Sequence, residues 1–389
     1  MFKANVGSSV NADAKAAGKE AGAAAAAGLS DVKVAFVYGS CVYDVDQMLA
    51  GVAEALPGVP LLGNTSFTGV ITPAGYIASD DGFCGVMAFA GDMTVGVAGM
   101  ARSNAEWACE DGAAIAEAAK KAAGRDDAPD YFYMAAAPAE EERYLKGISK
   151  IIGRVPFFGG SAADNTITGE WKLYTGEGSF ANGCIVAFFY DAPQMENLFT
   201  GAFNETDNFG VITKVEGRRT LAEIDGVPAL KKYQEWTGYS DEQVMGGALL
   251  GNAVVKPIGV KDRLGDLVAI RHPMNGNDDW TIAVGNDLAE KTCVIQMEAS
   301  VDELIDSTGD TLKKLIEQAP FKPTAFHLVH CGGRRAAIDA RIGEVADQIK
   351  AAAGDIPFIV EFTFGEYGFV ADNNNTCGGL MLSFTAFGE

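Results

Sequence analysis

The chain has 389 residues, 48% of them apolar, and a formal net charge of −22. That is length and apolar material enough for two or three domains with large cores. The acidic balance speaks against nucleic-acid binding, which needs clustered Lys and Arg, and against docking on anionic membrane faces.

The first residues do not read as a secretory leader, because the Ala23–Ala27 run follows Lys19 and Glu20 and lacks a Leu-rich core. No stretch of strongly apolar residues is long enough for a membrane span. Asn11–Ala27 is helical by propensity, weakened by Gly18 and Gly22. Val32–Tyr38 reads as a central strand covered on both faces. Asp44 is placed to cap the next helix, Asp44–Leu56, with Gln47 as its partner. Gly69–Ile77, Gly82–Ala90 and Thr94–Ala101 follow as a meander of antiparallel strands, and Ser103–Ala123 as a helix. Tyr131–Ala135 is a strand and Glu140–Ile152 a helix, while Gly169–Tyr174 and Gly183–Tyr190 suggest a hairpin. Ala192–Asn204 is the expected boundary between a domain of residues 1–195 and one of residues 196–389. Beyond it, Val211–Glu216 and Arg218–Ile224 read as strands and Pro228 opens a helix that stops at Gly238. Leu267–Pro273, Trp280–Val284 and Thr292–Glu298 are further strands, and Val301–Glu317 is an amphipathic helix. Ala325–Val329 and a helix over Ala336–Ala353 lead into the last strands.

One design recurs through this order. A strand led by proline breaks into a small, polar turn: Pro60 to Ser66, Pro156 to Asn165, and Pro357 to Glu366. Each follows a strand and a helix, and each precedes a strand containing Gly and Cys. We read a βαββ block used at least three times. The fold class is therefore α/β in a mixed α+β sense, with largely antiparallel mixed sheets flanked by helices and two pseudo-related halves. The polar turns supply Asn64, Thr65 and Ser66, then Gly160, Ser161, Asp164 and Asn165, at strand ends where α/β folds place ligands.

These residues resemble the FIST family, a two-part sensory domain. The N-terminal part is matched by Leu62 to Gly69 and Phe158 to Asn165. The C-terminal part is matched by Leu221 to Leu230, His272-Pro273, Cys331 to Arg334, Phe364 to Glu366 and Asn375-Thr376. The resemblance implies sensing of a small ligand, an amino acid or related metabolite. No kinase, cyclase, chemotaxis or F-box module is visible, so the signal is expected to pass to a separate output protein. Ile359-Val360-Glu361 stands where smaller residues would be expected.

Candidate chemistry centres on the last block. Glu366 lies in an apolar neighbourhood, and Arg334 has the fork that suits carboxylates. Either anchors a ligand, or the two pair with each other. Cys331, Phe364 and Gly365 complete the expected pocket. A catalytic Cys331 beside His330 and Arg334 is the weaker reading, since neighbours in a strand face opposite ways. The same alternation puts His327 and His330 on opposite faces. Ser161 with Asp164 lacks the G-x-S-x-G elbow. Gly332-Gly333 lacks both the phosphate-loop lysine and the dinucleotide fingerprint. The seven cysteines include no C-x-x-C pair, so neither a zinc site nor a disulfide framework is expected. The expectation is a cytoplasmic, cofactor-free ligand sensor without nucleic-acid partners. An enzyme using Cys331 or Glu366 and a protein-interaction module are the alternatives.

Overall fold

Three buried strands, Val32–Gly39, Tyr131–Ala136 and Pro323–Cys331, set the plan of the molecule. The computed structural model describes residues 1–104, 106–261, 267–370 and 375–389. Each of the three strands runs parallel to the proline-led strand of its own block: Leu61–Thr65, Phe157–Ser161 and Phe358–Thr363. Each also pairs antiparallel with the closing strand of that block: Cys84–Ala90, Gly183–Tyr190 and Leu382–Gly388. The expected mixed sheets, flanked by helices, are present.

The repeat is longer than the sequence pattern indicates. Each block is preceded by an edge strand and a helix. These are Lys3–Ser9 with Ala14–Ala26, Thr94–Ala101 with Ala108–Ala123, and Gln194–Thr200 with Val301–Gln318. Each edge strand lies against the closing strand of the block that follows it. Thr94–Ala101 therefore does not continue a meander from Cys84–Ala90; it belongs to the second sheet. The 195/196 division falls inside Gln194–Thr200, where the third repeat begins. Between that strand and its helix, residues 204–298 are inserted. The described residues among them form a separate antiparallel sheet around Ile212, Leu230, Tyr233 and Val294, with the Ala229–Thr237 helix on it.

The repeats are locked together by exchange. The hairpin Val70–Thr72/Gly75–Ile77 of the first block pairs with the proline-led strand of the third. That of the second, Leu173–Thr175/Gly178–Phe180, pairs with the first. That of the third, Glu366–Gly368/Thr376–Gly378, pairs with the second. This overturns the hairpin expected from Gly169–Tyr174 and Gly183–Tyr190. Backbone bonds close the same circuit: Phe67 N donates to Phe362 O at 2.9 Å, Ala163 N to Thr65 O at 2.9 Å, and Phe364 N to Ser161 O at 3.1 Å.

The inner faces of the three sheets meet in one aromatic core of Phe36, Phe89, Tyr133, Phe158, Phe189 and Phe387, with the His327 ring against Phe36, Tyr133 and Phe158. The outer faces are covered by the helices, in three separate clusters. Helix pairing explains the glycines that weakened the first helix on propensity. A Cβ at Gly18 would sit 2.0 Å from Met48 O, and one at Gly51 2.0 Å from Lys15 O, so only glycine permits this approach.

Several boundaries differ for local reasons. The second repeat's outer helix begins at Ala108, not Ser103, because Ser103 Oγ and N bond back to the Asp111 carboxylate. Ala105, within that expected helix, lies outside the described residues. The expected Ala336–Ala353 helix is two, Gly332–Ile338 and Ile342–Ala353, broken at Asp339 with φ +48°. The Val211–Glu216 strand is the end of a longer one, Asn204–Glu216. Among the described residues no helix is long and apolar enough to cross a membrane.

Candidate functional site

The inserted sheet leans on the second and third repeats, and a cavity of about 490 Å³ remains between them. Its floor is the Cys331–Gly333 turn, where Pro323–Cys331 ends and Gly332–Ile338 begins. Phe364 and Leu380 stand beside it. Trp171 and Ile167 come from the loop after the second proline-led strand. Leu250, Val254, His272, Met274 and Asn286 come from the insert. Trp171 meets Phe364 edge-on, ring centroids 6.2 Å apart. The wall is thus largely apolar, with few polar atoms, which is the usual form of a small-molecule site. A second cleft, about 550 Å³, follows Gln194–Thr200.

Most of the polar side chains around the cavity are engaged. Cys331 Sγ accepts from the N–H of Gly333 and of Leu380, each at 3.3 Å. Burial pushes the Cys331 thiol well above its ordinary range, with the Glu366 charge adding to the effect. His272 Nε2 donates to Leu250 O at 2.8 Å, and burial pushes the imidazole down to about 4, so it is neutral. Arg219 holds Glu141 at 3.1 Å and Asp287 at 3.1 Å, contacts Glu142, and donates to Gly285 O at 2.6 Å. Glu141 is buried, and burial followed by the Glu142 charge raises its carboxyl to about 7. Asn286, 1% exposed, donates its Nδ2 towards Glu142 at 3.3 Å and Glu141 at 3.5 Å, while its Oδ1 has no partner among the described residues.

Of the positions named from sequence, Cys331 and Phe364 line this cavity. Most of the remainder serve the seams between repeats. Asn64 Nδ2 donates to Glu361 at 2.9 Å. Thr65 Oγ1 accepts from Lys172 N, and Ser66 Oγ donates to Gly69 O and accepts from Phe362 N. A Cβ at Gly160 would meet Thr363 at 2.6 Å, and Gly365 O accepts from Ser161 N. Ser161 Oγ bonds Tyr367 OH at 2.7 Å. The Asp164 carboxylate accepts from the N–H of Thr166, Thr168, Gly169 and Glu170, which shapes the loop carrying Trp171. Asn165 Oδ1 accepts from Thr68 N.

Arg334 and Glu366 do not pair with each other. The buried Arg334 guanidinium turns to the insert side and the Val301–Gln318 helix, donating to Gly201 O at 2.8 Å, Leu304 O at 3.0 Å and Ser307 Oγ at 2.7 Å. Glu366 accepts from Thr363 Oγ1 and Met381 N, each at 2.9 Å, and burial raises its carboxyl to about 8. Among the described residues no group of His, Cys, Asp and Glu could hold a metal ion.

Sequence reasoning missed Trp171, Asn286 and Arg219 in the cavity. It also missed a buried polar cluster at the molecular centre. There Tyr133 OH donates to Asn64 Oδ1 at 3.0 Å and lies 3.3 Å from Glu361, while Tyr38 OH meets His327 Nε2. The odd Glu361 was its one visible signal. His327 and His330 do lie on opposite faces, one against Phe36 and Phe158, the other against Phe362.

Comparison with solved structures finds a cyanuric acid hydrolase from A. caulinodans at 10% identity, covering 100% of both chains, with a TM-score of 0.41. Phosphoribosylformylglycinamidine synthase II from Thermotoga maritima is also found, at 10% identity, covering 100% of this chain and 72% of that one, with a TM-score of 0.24. Neither likeness is close enough to carry an argument. No curated protein matches the sequence. The FIST N domain matches residues 33–227 and the FIST C domain residues 229–368, so the chain belongs to the FIST family of sensory domains.

Proposed function

We propose that this protein is a small-molecule sensor and that its ligand occupies the cavity bounded by Trp171, Phe364, Cys331 and Asn286. The observation that carries this reading is a largely apolar, partly open space, about 490 Å³, built where the second repeat, the third repeat and the insert converge. A ligand there touches all three, so its binding free energy can bias their packing, which is what a sensor requires. The ligand is a small metabolite. The signal passes to a separate output protein. All seven cysteines are free thiols, which fits a reducing cytoplasm.

Binding without turnover is favoured over an enzyme. A nucleophilic thiol needs positive surroundings or a base, yet the Cys331 thiol is buried and faces the Glu366 carboxyl. The test is a thermal-shift screen of small metabolites on the protein and on Ala336→Trp. Ala336 is exposed on a cavity-lining turn of helix, so the indole blocks the mouth without disturbing the core. Hits that raise the melting temperature of the parent and not of the variant support the site. Hits that shift both equally place the ligand elsewhere.

A further inference from the structure

The polar atoms of the cavity have a direction. Asn286 Nδ2 faces the Glu141 and Glu142 carboxylates. Turning the amide over would set Oδ1 against those acceptors, so the orientation is fixed, and Oδ1 is the amide atom left over beside the cavity that Asn286 lines. It is buried, without a partner among the described residues, and beside the Gly379 backbone, whose missing Cβ would lie 3.6 Å away. A buried acceptor left unsatisfied is costly, so a ligand that donates to it gains more than the bond alone.

Several of the donors in the wall are already engaged. The Arg219 guanidinium is divided among three carboxylates and a carbonyl. The Gly333 and Leu380 N–H groups go to Cys331 Sγ, and the Gly285 N–H goes to His272 O. His272 gives its Nε2 proton to Leu250 O and is neutral. The indole N–H of Trp171 is one neutral donor, which does not compensate a desolvated anion.

We infer that the cavity takes a largely apolar, commonly aromatic, small molecule that presents an N–H or O–H donor to Asn286 Oδ1 and carries no free carboxylate or phosphate. Amides, lactams, phenols and amine-bearing aromatics belong to this class; a free amino acid does not. This inference rests on the cavity being the ligand site.

Paired probes test it by calorimetry and thermal shift: benzamide against benzoate, phenylalaninamide against phenylalanine, with ethylbenzene as a purely apolar control. The amides should bind at least about tenfold more tightly than their acids, since an unpaired buried carboxylate is strongly disfavoured. Asn286→Leu should weaken the amides by about tenfold while leaving ethylbenzene binding within about twofold, which separates loss of the acceptor from loss of the fold. Acids that bind as well as amides, and are blocked by Ala336→Trp, overturn the donor rule while leaving the site standing. Amide binding unchanged in Asn286→Leu does the same. Binding insensitive to Ala336→Trp, or no binding by any probe, overturns the site itself and the inference with it.

Discussion

Replacing Glu361 by Gln should change how stability depends on pH. Glu361 is fully buried at the centre of the three sheets. Burial raises its carboxyl from 4.5 to about 7, against the opposing hydrogen bonds from Asn64, Tyr133 and Tyr38. In the unfolded chain the group ionises at its ordinary value. Between the two pH values the folded state keeps a proton that the unfolded state has lost, so stability falls as pH rises. The contribution is intact below pH 4.5 and gone above about 7. At about 1.4 kcal/mol per pH unit, the loss across that window is on the order of 3 kcal/mol. Gln at this position can accept from Asn64 and donate to the Tyr133 oxygen, so it keeps the network without the charge. Urea unfolding of both proteins from about pH 4 to about pH 9 measures the difference directly. Glu361→Gln should gain on the parent as pH rises and level off once Glu361 is ionised. A difference that stays constant across the range refutes the argument, because Glu361 would then titrate alike in both states.

Gly51→Ala should destabilise by about 1–3 kcal/mol, because its Cβ would meet Lys15 O at 2.0 Å across the helix pair. Gly343→Ala, where nothing lies within 4 Å, should be neutral or stabilise by up to about 1 kcal/mol in the same melts. Arg334→Ala should cost about 2–4 kcal/mol by stranding Gly201 O and Ser307 Oγ, with cavity ligands binding as before. Under native conditions Cys331 should resist alkylation until the protein unfolds, and mass spectrometry of the labelled peptides checks this. Rapid selective labelling of Cys331 would revive the catalytic reading.

The fold was legible where chemistry repeats along the chain. Pro60, Pro156 and Pro357 each lead a strand into a polar turn, and those turns mark three blocks. The exchange of hairpins was not legible. Each arm is three residues long, as in Val70–Thr72, and so short a strand carries no signal for which sheet it joins. Lys3–Ser9 escaped because it has no apolar run, being held as an edge strand by its pairing with Cys84–Ala90. The polar turns drew attention because buried hydroxyls and carboxylates need partners. Their partners are the neighbouring repeats: Ser161 reaches Tyr367, and Asn64 reaches Glu361. The cavity takes its free acceptor from Asn286, in a Gly-Asn-Asp turn far along the chain. Only the packing of the insert against the second repeat brings that turn to Glu141 and Glu142.

The most direct measurement is a crystal structure of the protein with a ligand recovered from the thermal-shift screen. Density between Trp171 and Leu380, with a donor atom within hydrogen-bonding distance of Asn286 Oδ1, is the expected result. A ligand in the cleft along Gln194–Thr200, with the cavity beside Cys331 left empty, would contradict the account.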